Sequence, residues 1–255
     1  MNLSDALLLA QQPAGPSPSI TSWVVALAFL SLTPFLFTLV TSFAKIVIVG
    51  GIIRQAIGTP QIPPTMVITG IALILTLHIM SPVIEESLGA YQQNYNQFED
   101  PDALTNEQHA QLIYDSAYGP MRRFLERHAH PENIALFERM QGDLRAAHNA
   151  DNPDGEAAPL DPAAIPGGEL AEGLLDDFVV LVPAFLLSEL TEAFQIGFLI
   201  FIPFLIIDLV VSNILLSMGM HMLSPTTIAL PFKLLLFVLI DGWRLILEGV
   251  VSGYI

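Results

Sequence analysis

Residues 194–216 read FQIGFLIFIPFLIIDLVVSNILL, twenty-three residues with one formal charge, Asp208. At 1.5 Å per residue, a helix of that length crosses a hydrocarbon core of about 30 Å. Three further runs are apolar. Ile20–Phe43 carries no charge and contains Pro34, where a helix is expected to kink. Thr65–Ile84 follows the proline-rich GTPQIPP, and Thr226–Leu247 contains Lys233, Asp241 and Arg244. Just before the decisive run, Phe178–Leu187 is apolar but short, and polar Ser188-Glu189-Leu190-Thr191-Glu192 follows it. Phe178–Ala193 therefore reads as a half-buried helix or as one arm of a hairpin. The pattern predicts an all-α, membrane-associated protein of about four hydrophobic helices with a small helical extracytoplasmic domain.

The whole chain of 255 residues is 53% hydrophobic and 13% charged, against roughly 25% charged in soluble domains. Such a chain meets lipid and is not disordered as a whole. The net charge of −16 argues against nucleic acid as a partner, because phosphate binding needs clustered Lys and Arg. With no cysteine there is no disulfide, thiolate metal site or Cys nucleophile. The acid is concentrated: Glu85–Asp177 holds 19 acids and five arginines, the rest of the chain six acids and four bases. Three segments follow: hydrophobic residues 1–84, an acidic segment at 85–177, and hydrophobic residues 178–255.

The first base is Lys45, so the N-terminus lacks the positive region of a signal peptide and reads as uncleaved. Ala44–Pro64 holds Lys45 and Arg54 and no acid, which places it in the cytoplasm and residues 85–177 outside. Four spans would put both termini outside and Ser217–Pro225 on the cytoplasmic side.

Within the acidic segment, Met121, Phe124 and Leu125, then Ile134, Phe137 and Met140, recur at helical spacing, with Pro131 between two helices. Residues 149–172, rich in Pro, Gly, Asp and Ala, read as a loop or disordered insert. A hairpin of this size buries little core alone and is expected to pack on something else. Glu126, His128, His130 and Glu132 read as a solvated face: histidines two apart on a helix point to different sides, which does not suit a shared metal. There is no HExxH, GxSxG or glycine-rich phosphate loop. No enzyme activity, metal or other cofactor is expected.

Six charges lie in or beside the apolar runs: Lys45, Arg54, Glu189, Asp208, Lys233 and Asp241. A charge at the bilayer centre costs about 2.5–3.5 kcal/mol on insertion scales, so such residues face protein or water. Asp208 reads either as part of an ion or proton relay or as a partner between helices or subunits. Asp241, Arg244 and Glu248 share a helix face as a local network. Between the last two runs lies Ser217-Met218-Gly219-Met220-His221-Met222-Leu223-Ser224-Pro225, where Gly219 and Pro225 disfavour a regular helix. Met side chains are flexible and polarizable. The loop is either a hydrophobic turn at the membrane interface or, with several copies around a pore, a deformable apolar constriction.

Three stretches resemble the FliP/YscR family of type III secretion export-gate subunits: residues 41–83 (TSFAKIVIVGGIIRQAIGTPQIPPTMVITGIALILTLHIMSPV), residues 181–225 (LVPAFLLSELTEAFQIGFLIFIPFLIIDLVVSNILLSMGMHMLSP) and residues 228–243 (IALPFKLLLFVLIDGW). The resemblance implies membrane-associated helical hairpins in the bacterial inner membrane, with 85–177 periplasmic. It implies a pentameric homo-oligomer with FliQ/YscS-like and FliR/YscT-like partners, enclosing a channel for unfolded secreted proteins. It places Met218, Met220 and Met222 in a gasket across that channel, with His221 where the family commonly has another Met. It also implies that the hydrophobic helices are hairpins buried against partners rather than clean bilayer crossings. Lys45, Arg54, Glu189, Asp208, Lys233 and Asp241 are read as buried charges that serve assembly. LTPF before VTSFAK, and DLVVSNILL, are more similar to the injectisome branch; AFQIGFLIF and TTIALPFKL are worded as in flagellar members. The alternative of another class is a small-solute or ion transporter using Asp208 and Lys233, which a visible inverted repeat of broken helices would favour and which the chain lacks. An intramembrane hydrolase would need a nucleophile–base pair that scattered Ser and His do not make.

Overall fold

A computed structural model describes residues 20–59, 62–98, 104–151 and 177–255, and all regular structure among them is helical. The chain divides into two compact units, residues 1–37 and 38–255. Helix α1 (Ile20–Val40) supplies the described part of the first unit and opens the second. Its Leu27, Leu30, Leu32 and Phe35 are exposed, and Pro34 lies inside the helix.

The second unit continues with α2 (Phe43–Ile57), α3 (Thr65–Tyr95), α4 (Asn106–His128) and α5 (Pro131–Asp151). One wide π-helical turn, Asp177–Leu181, leads into α6 (Val182–Ser217), then α7 (Pro225–Leu239) and α8 (Gly242–Ser252). Local chemistry sets the ends. Gly58 closes α2 at φ 87°, a left-handed conformation that glycine adopts without steric cost. Thr105 and Gln108 form a reciprocal capping box at the start of α4. Pro225 occupies the first position of α7, where its missing N–H has no intrahelical acceptor to serve. Inside α3, Pro82 cannot donate to the His78 carbonyl, and Ser81 Oγ does so instead at 2.9 Å.

Three elements differ from the sequence expectation. Of the two readings of Phe178–Ala193, the half-buried helix holds and the separate arm does not: α6 runs unbroken through the polar Ser188–Glu192. The hydroxyls there bond back to the helix, Ser188 Oγ to Ala184 O and Thr191 Oγ1 to Leu187 O, both at 2.8 Å, so they do not compete for its ladder. Thr226–Leu247 is not one span. It bends at Ile240–Asp241, where Asp241 has φ 51°, leaving α7 with 15 residues and α8 with 11. At about 22 Å, α7 is shorter than a bilayer core. Among the described residues two helices are long and apolar enough to cross a membrane, Thr65–Tyr95 and Val179–Ser217, or three if Leu30–Val40 and Phe43–Ile57 form one broken span, against the four expected.

The core is centred on α2. Ile46, Val49, Ile53, Ala56 and Ile57 meet Ala184, Phe185, Ala193 and Phe204 of α6, Ala72, Ile79 and Met80 of α3, and Phe237, Ile246 and Val250 near the C-terminus. Phe124, Leu125 and Ala129 from the acidic segment belong to the same cluster, with Met121, Ile134 and Phe137 packed against it; Met140 is exposed. Residue 84, expected to end the first segment, lies inside α3. Of the expected insert at 149–172, residues 149–151 close α5 and the rest lies outside the described residues, as does the N-terminus through residue 19.

Helices α2 and α6 approach closely at Gly197. A Cβ built there would lie 2.4 Å from Ile52 Cδ1 and 3.2 Å from Ile52 Cβ. Gly197→Val should push the two helices apart and cost about 1–3 kcal/mol, as overpacking does. A fall in the thermal midpoint of the purified protein is the expected reading, and an unchanged midpoint would refute the tight contact.

Candidate functional site

Lys45 is the largest side chain sealed in the body of the protein, 1% exposed on α2. Its Nζ lies 2.6 Å from Glu192 Oε2 and 3.3 Å from Glu189 Oε1, both on α6, and 4.2 Å from the centre of the Tyr254 ring. Glu189 and Glu192 are three residues apart, so one helix face presents both to one cation. Tyr254 donates its hydroxyl to Glu189 Oε2. Burial, with Glu189 beside it, raises that phenol above the usual range, so it stays a donor. Glu192 Oε1 faces His130 Nε2 at 2.8 Å. Four segments distant in sequence thus converge: α2, the α4–α5 corner, α6 and the C-terminus.

The histidines do not form the solvated face expected of them. His128 is half-buried against Phe124 at 4.7 Å and Tyr254 at 5.0 Å between ring centroids. Burial first, then the charges of Lys45 and Arg127, hold its pKa below the ordinary histidine value. His130 pairs with Glu192, whereas Glu126 pairs on the surface with Arg122 at 3.0 Å. No group of three His, Asp or Glu side chains suited to a metal forms among the described residues. At the wide turn, Tyr118 donates to Asp177, and burial with that carboxylate pushes the phenol up to about 12. This joins α4 to the start of α6.

A second ion pair lies further along α6. Lys233 Nζ, on α7, is 2.7 Å from Asp208 Oδ2 and donates to Ala56 O of α2 at 3.0 Å. Lys233 is buried, but the Asp208 side chain is 39% exposed. Asp208 Oδ1 is itself covered and has no donor among the described residues. Arg54 is half-buried and donates to Thr65 Oγ1 at 2.9 Å. Asp241 departs from expectation. It is exposed at the left-handed corner before α8 and makes no capping hydrogen bond, while Arg244 forms its ion pair with Glu248 at 2.7 Å.

The methionine loop is the most exposed apolar feature between α6 and α7. Met222 is fully exposed, Met218 and Met220 are 62% and 40% exposed, and His221 is exposed beside them. Gly219, at φ 72°, turns the chain just after α6, and the Met220 N–H closes the turn on Leu215 O at 3.0 Å. The sequence reading missed Glu192, His130, Ser188 and Tyr254. The i, i+3 pair Glu189–Glu192 in an otherwise apolar helix, against a first base as late as Lys45, was the signal for the cluster; no local pattern pointed to Tyr254.

Removing one partner of a buried ion pair leaves the other uncompensated. Lys45→Met should cost about 3–5 kcal/mol. Adding Glu189→Gln should recover part of that loss. Chemical denaturation of the two single variants and the double one reads this; a double variant at least as unstable as the sum of the two single ones would refute the coupling.

With this geometry in view, comparison with known proteins is informative. The model of the FliP family matches residues 26–250. The chain is 40% identical over 237 residues to Yop proteins translocation protein R of Yersinia pestis, covering 93% of this chain and 97% of that protein. It is 38% identical over 233 residues to the hypersensitivity response secretion protein HrcR of Ralstonia nicotianae, covering 91% and 96%. It is 37% identical over 243 residues to the flagellar biosynthetic protein FliP of Caulobacter vibrioides, covering 94% and 79%. Apart from Tyr254, both ion clusters lie inside the matched region, as does the methionine loop, and the chain belongs to the FliP family.

Proposed function

We propose that this chain is a core subunit of the export gate of a bacterial type III secretion system, a channel component rather than an enzyme. The family match across residues 26–250 carries the reading. Relatives named for Yop translocation, hypersensitivity-response secretion and flagellar biosynthesis share it. The subunit sits in the inner membrane with residues 85–177 periplasmic, and works as a homo-oligomer with FliQ/YscS-like and FliR/YscT-like subunits to pass unfolded proteins.

The surface supports an assembly. Phe194, Phe198, Leu199, Leu205, Ile206 and Leu209 are exposed along α6, as are Phe232, Leu235, Val238 and Leu239 on α7. An apolar area of that extent is covered by lipid or by neighbouring subunits. Asp208 and Lys233, on which a transporter would depend, are committed to each other, which favours a structural role. The Asp208 side chain, 39% exposed, keeps an edge open to a neighbouring subunit. Lys45, Arg54, Glu189, Lys233 and Asp241 serve assembly in the same reading, the buried three by fixing the helices that carry the outer faces.

Asp208→Leu should leave Lys233 without its counter-charge and lower the yield of the complex with its two partners several-fold. Co-purification measures this, and an unchanged yield would remove Asp208 from assembly. In the gate, Met218, Met220, His221 and Met222 of each copy line one narrow zone. Apolar walls close a pore by dewetting, and thioether chains yield to a passing polypeptide and reseal. Met218→Ala/Met220→Ala/Met222→Ala should assemble normally yet raise the ion conductance of reconstituted complexes. A triple variant as tight as the parent would eliminate the gasket.

A further inference from the structure

The α4–α5 corner, Ala129–His130, is fastened to α6 by three contacts. The His130 backbone N–H and the Asn133 side-chain amide both donate to Ser188 Oγ at 2.8 Å. Ser188 in turn donates to Ala184 O at 2.8 Å, so its hydroxyl is held in place. The third contact, His130 Nε2 to Glu192 Oε1 at 2.8 Å, is the only one whose strength depends on charge.

The cluster behind that contact is not balanced. Each of its four carboxylate oxygens has one donor: Lys45 for Glu189 Oε1 and Glu192 Oε2, Tyr254 for Glu189 Oε2, and His130 for Glu192 Oε1. The donors are complete, but the charges are not. One ammonium faces two carboxylates, and with both ionised the group carries an excess negative charge unless His130 is an imidazolium. Excess charge among buried groups is costly. The His130 side chain is 43% exposed, so a proton reaches it directly from solvent.

We propose that His130 and Glu192 form a proton-binding site that fastens the α4–α5 corner to α6 when the imidazole is charged and slackens it when the imidazole is neutral. Histidine is the side chain whose charge changes between about pH 5 and 8. Around it stand Glu189 and Glu192 from α6, Lys45 from α2, Tyr254 from the C-terminus, and Arg127, His128 and Glu132 from the corner itself. Lys45 opposes a positive charge on the imidazole, whereas the two carboxylates attract one. His128 acts with the opposite sign. Its lowered pKa means that its contribution is complete above the ordinary value of about 6.5 and is lost as pH falls through the lowered one.

Hydrogen exchange at residues 126–134 tests this, on the full chain in its complex, between about pH 6 and pH 8 with rates normalised to intrinsic exchange. The partly exposed pair should slow exchange about two- to fivefold at the lower pH. His130→Gln keeps a neutral donor and should abolish the difference, as should Glu192→Gln; His128→Gln should retain it. Exchange independent of pH in the parent, or a difference that survives in either His130→Gln or Glu192→Gln, overturns the proposal. The export reading plays no part in the geometry and stands either way.

Discussion

A fully buried ammonium is the constraint on which the body of this protein depends. Lys45 has no route to water, so every element around it must supply a counter-charge, a lone pair or an aromatic face. α6 supplies Glu189 and Glu192, which fixes the rotation of that helix about its axis. The C-terminus supplies Tyr254, whose ring also stacks on Phe124 of α4 at 6.2 Å between centroids. An apolar core tolerates small rotations of a helix because one aliphatic contact replaces another. A buried charge does not, because an unsatisfied partner costs several kcal/mol. The cluster therefore sets a register that the aliphatic packing of Val49, Ile53, Phe185 and Ala193 alone would leave loose.

Helical class was legible in the sequence because apolar runs of twenty or more residues have few other outcomes. The boundaries were less so. The polar run Ser188–Glu192 reads as an interruption when lipid is assumed on all sides, yet its Ser188 and Glu189 are buried, with partners from other elements. Hydropathy cannot distinguish a polar residue that ends a span from one that meets a buried partner. The corner at Asp241 was hidden for a related reason. Asp241 and Arg244 are well spaced for a helix face, and a left-handed residue inside an apolar stretch leaves no signature in periodicity.

The acidic segment illustrates how far composition can mislead about packing. Its charge suggests a domain apart, but Phe124, Leu125 and Ala129 enter the same core as α2 and α6. The charges lie on the opposite faces, where Arg122, Arg123 and Glu126 form exposed pairs worth little individually. What attaches the segment is a handful of apolar side chains and the polar corner at His130. His128 and His130 could not be assigned from spacing, since the corner turns the chain between them and sends one ring toward Tyr254 and the other toward Glu192.

The two ion clusters lie at different heights along α6, nineteen residues apart from Glu189 to Asp208, or about 28 Å. Both tie the helix to α2, the first through Lys45 and the second through Lys233, which reaches Ala56 O. α6 is thereby clamped to one neighbour at two points, and a helix held so cannot easily tilt against it. Only nine residues beyond the second clamp the helix ends, and the chain enters a loop whose Gly219 is left-handed and whose methionines are exposed. Ion pairs hold the helix, and the loop has none among the described residues. For the proposed gasket that division matters, because a loop tied by ion pairs would resist deformation under a passing chain and a helix free to tilt would transmit it. In that proposal the charges buried far from the loop keep motion out of the scaffold.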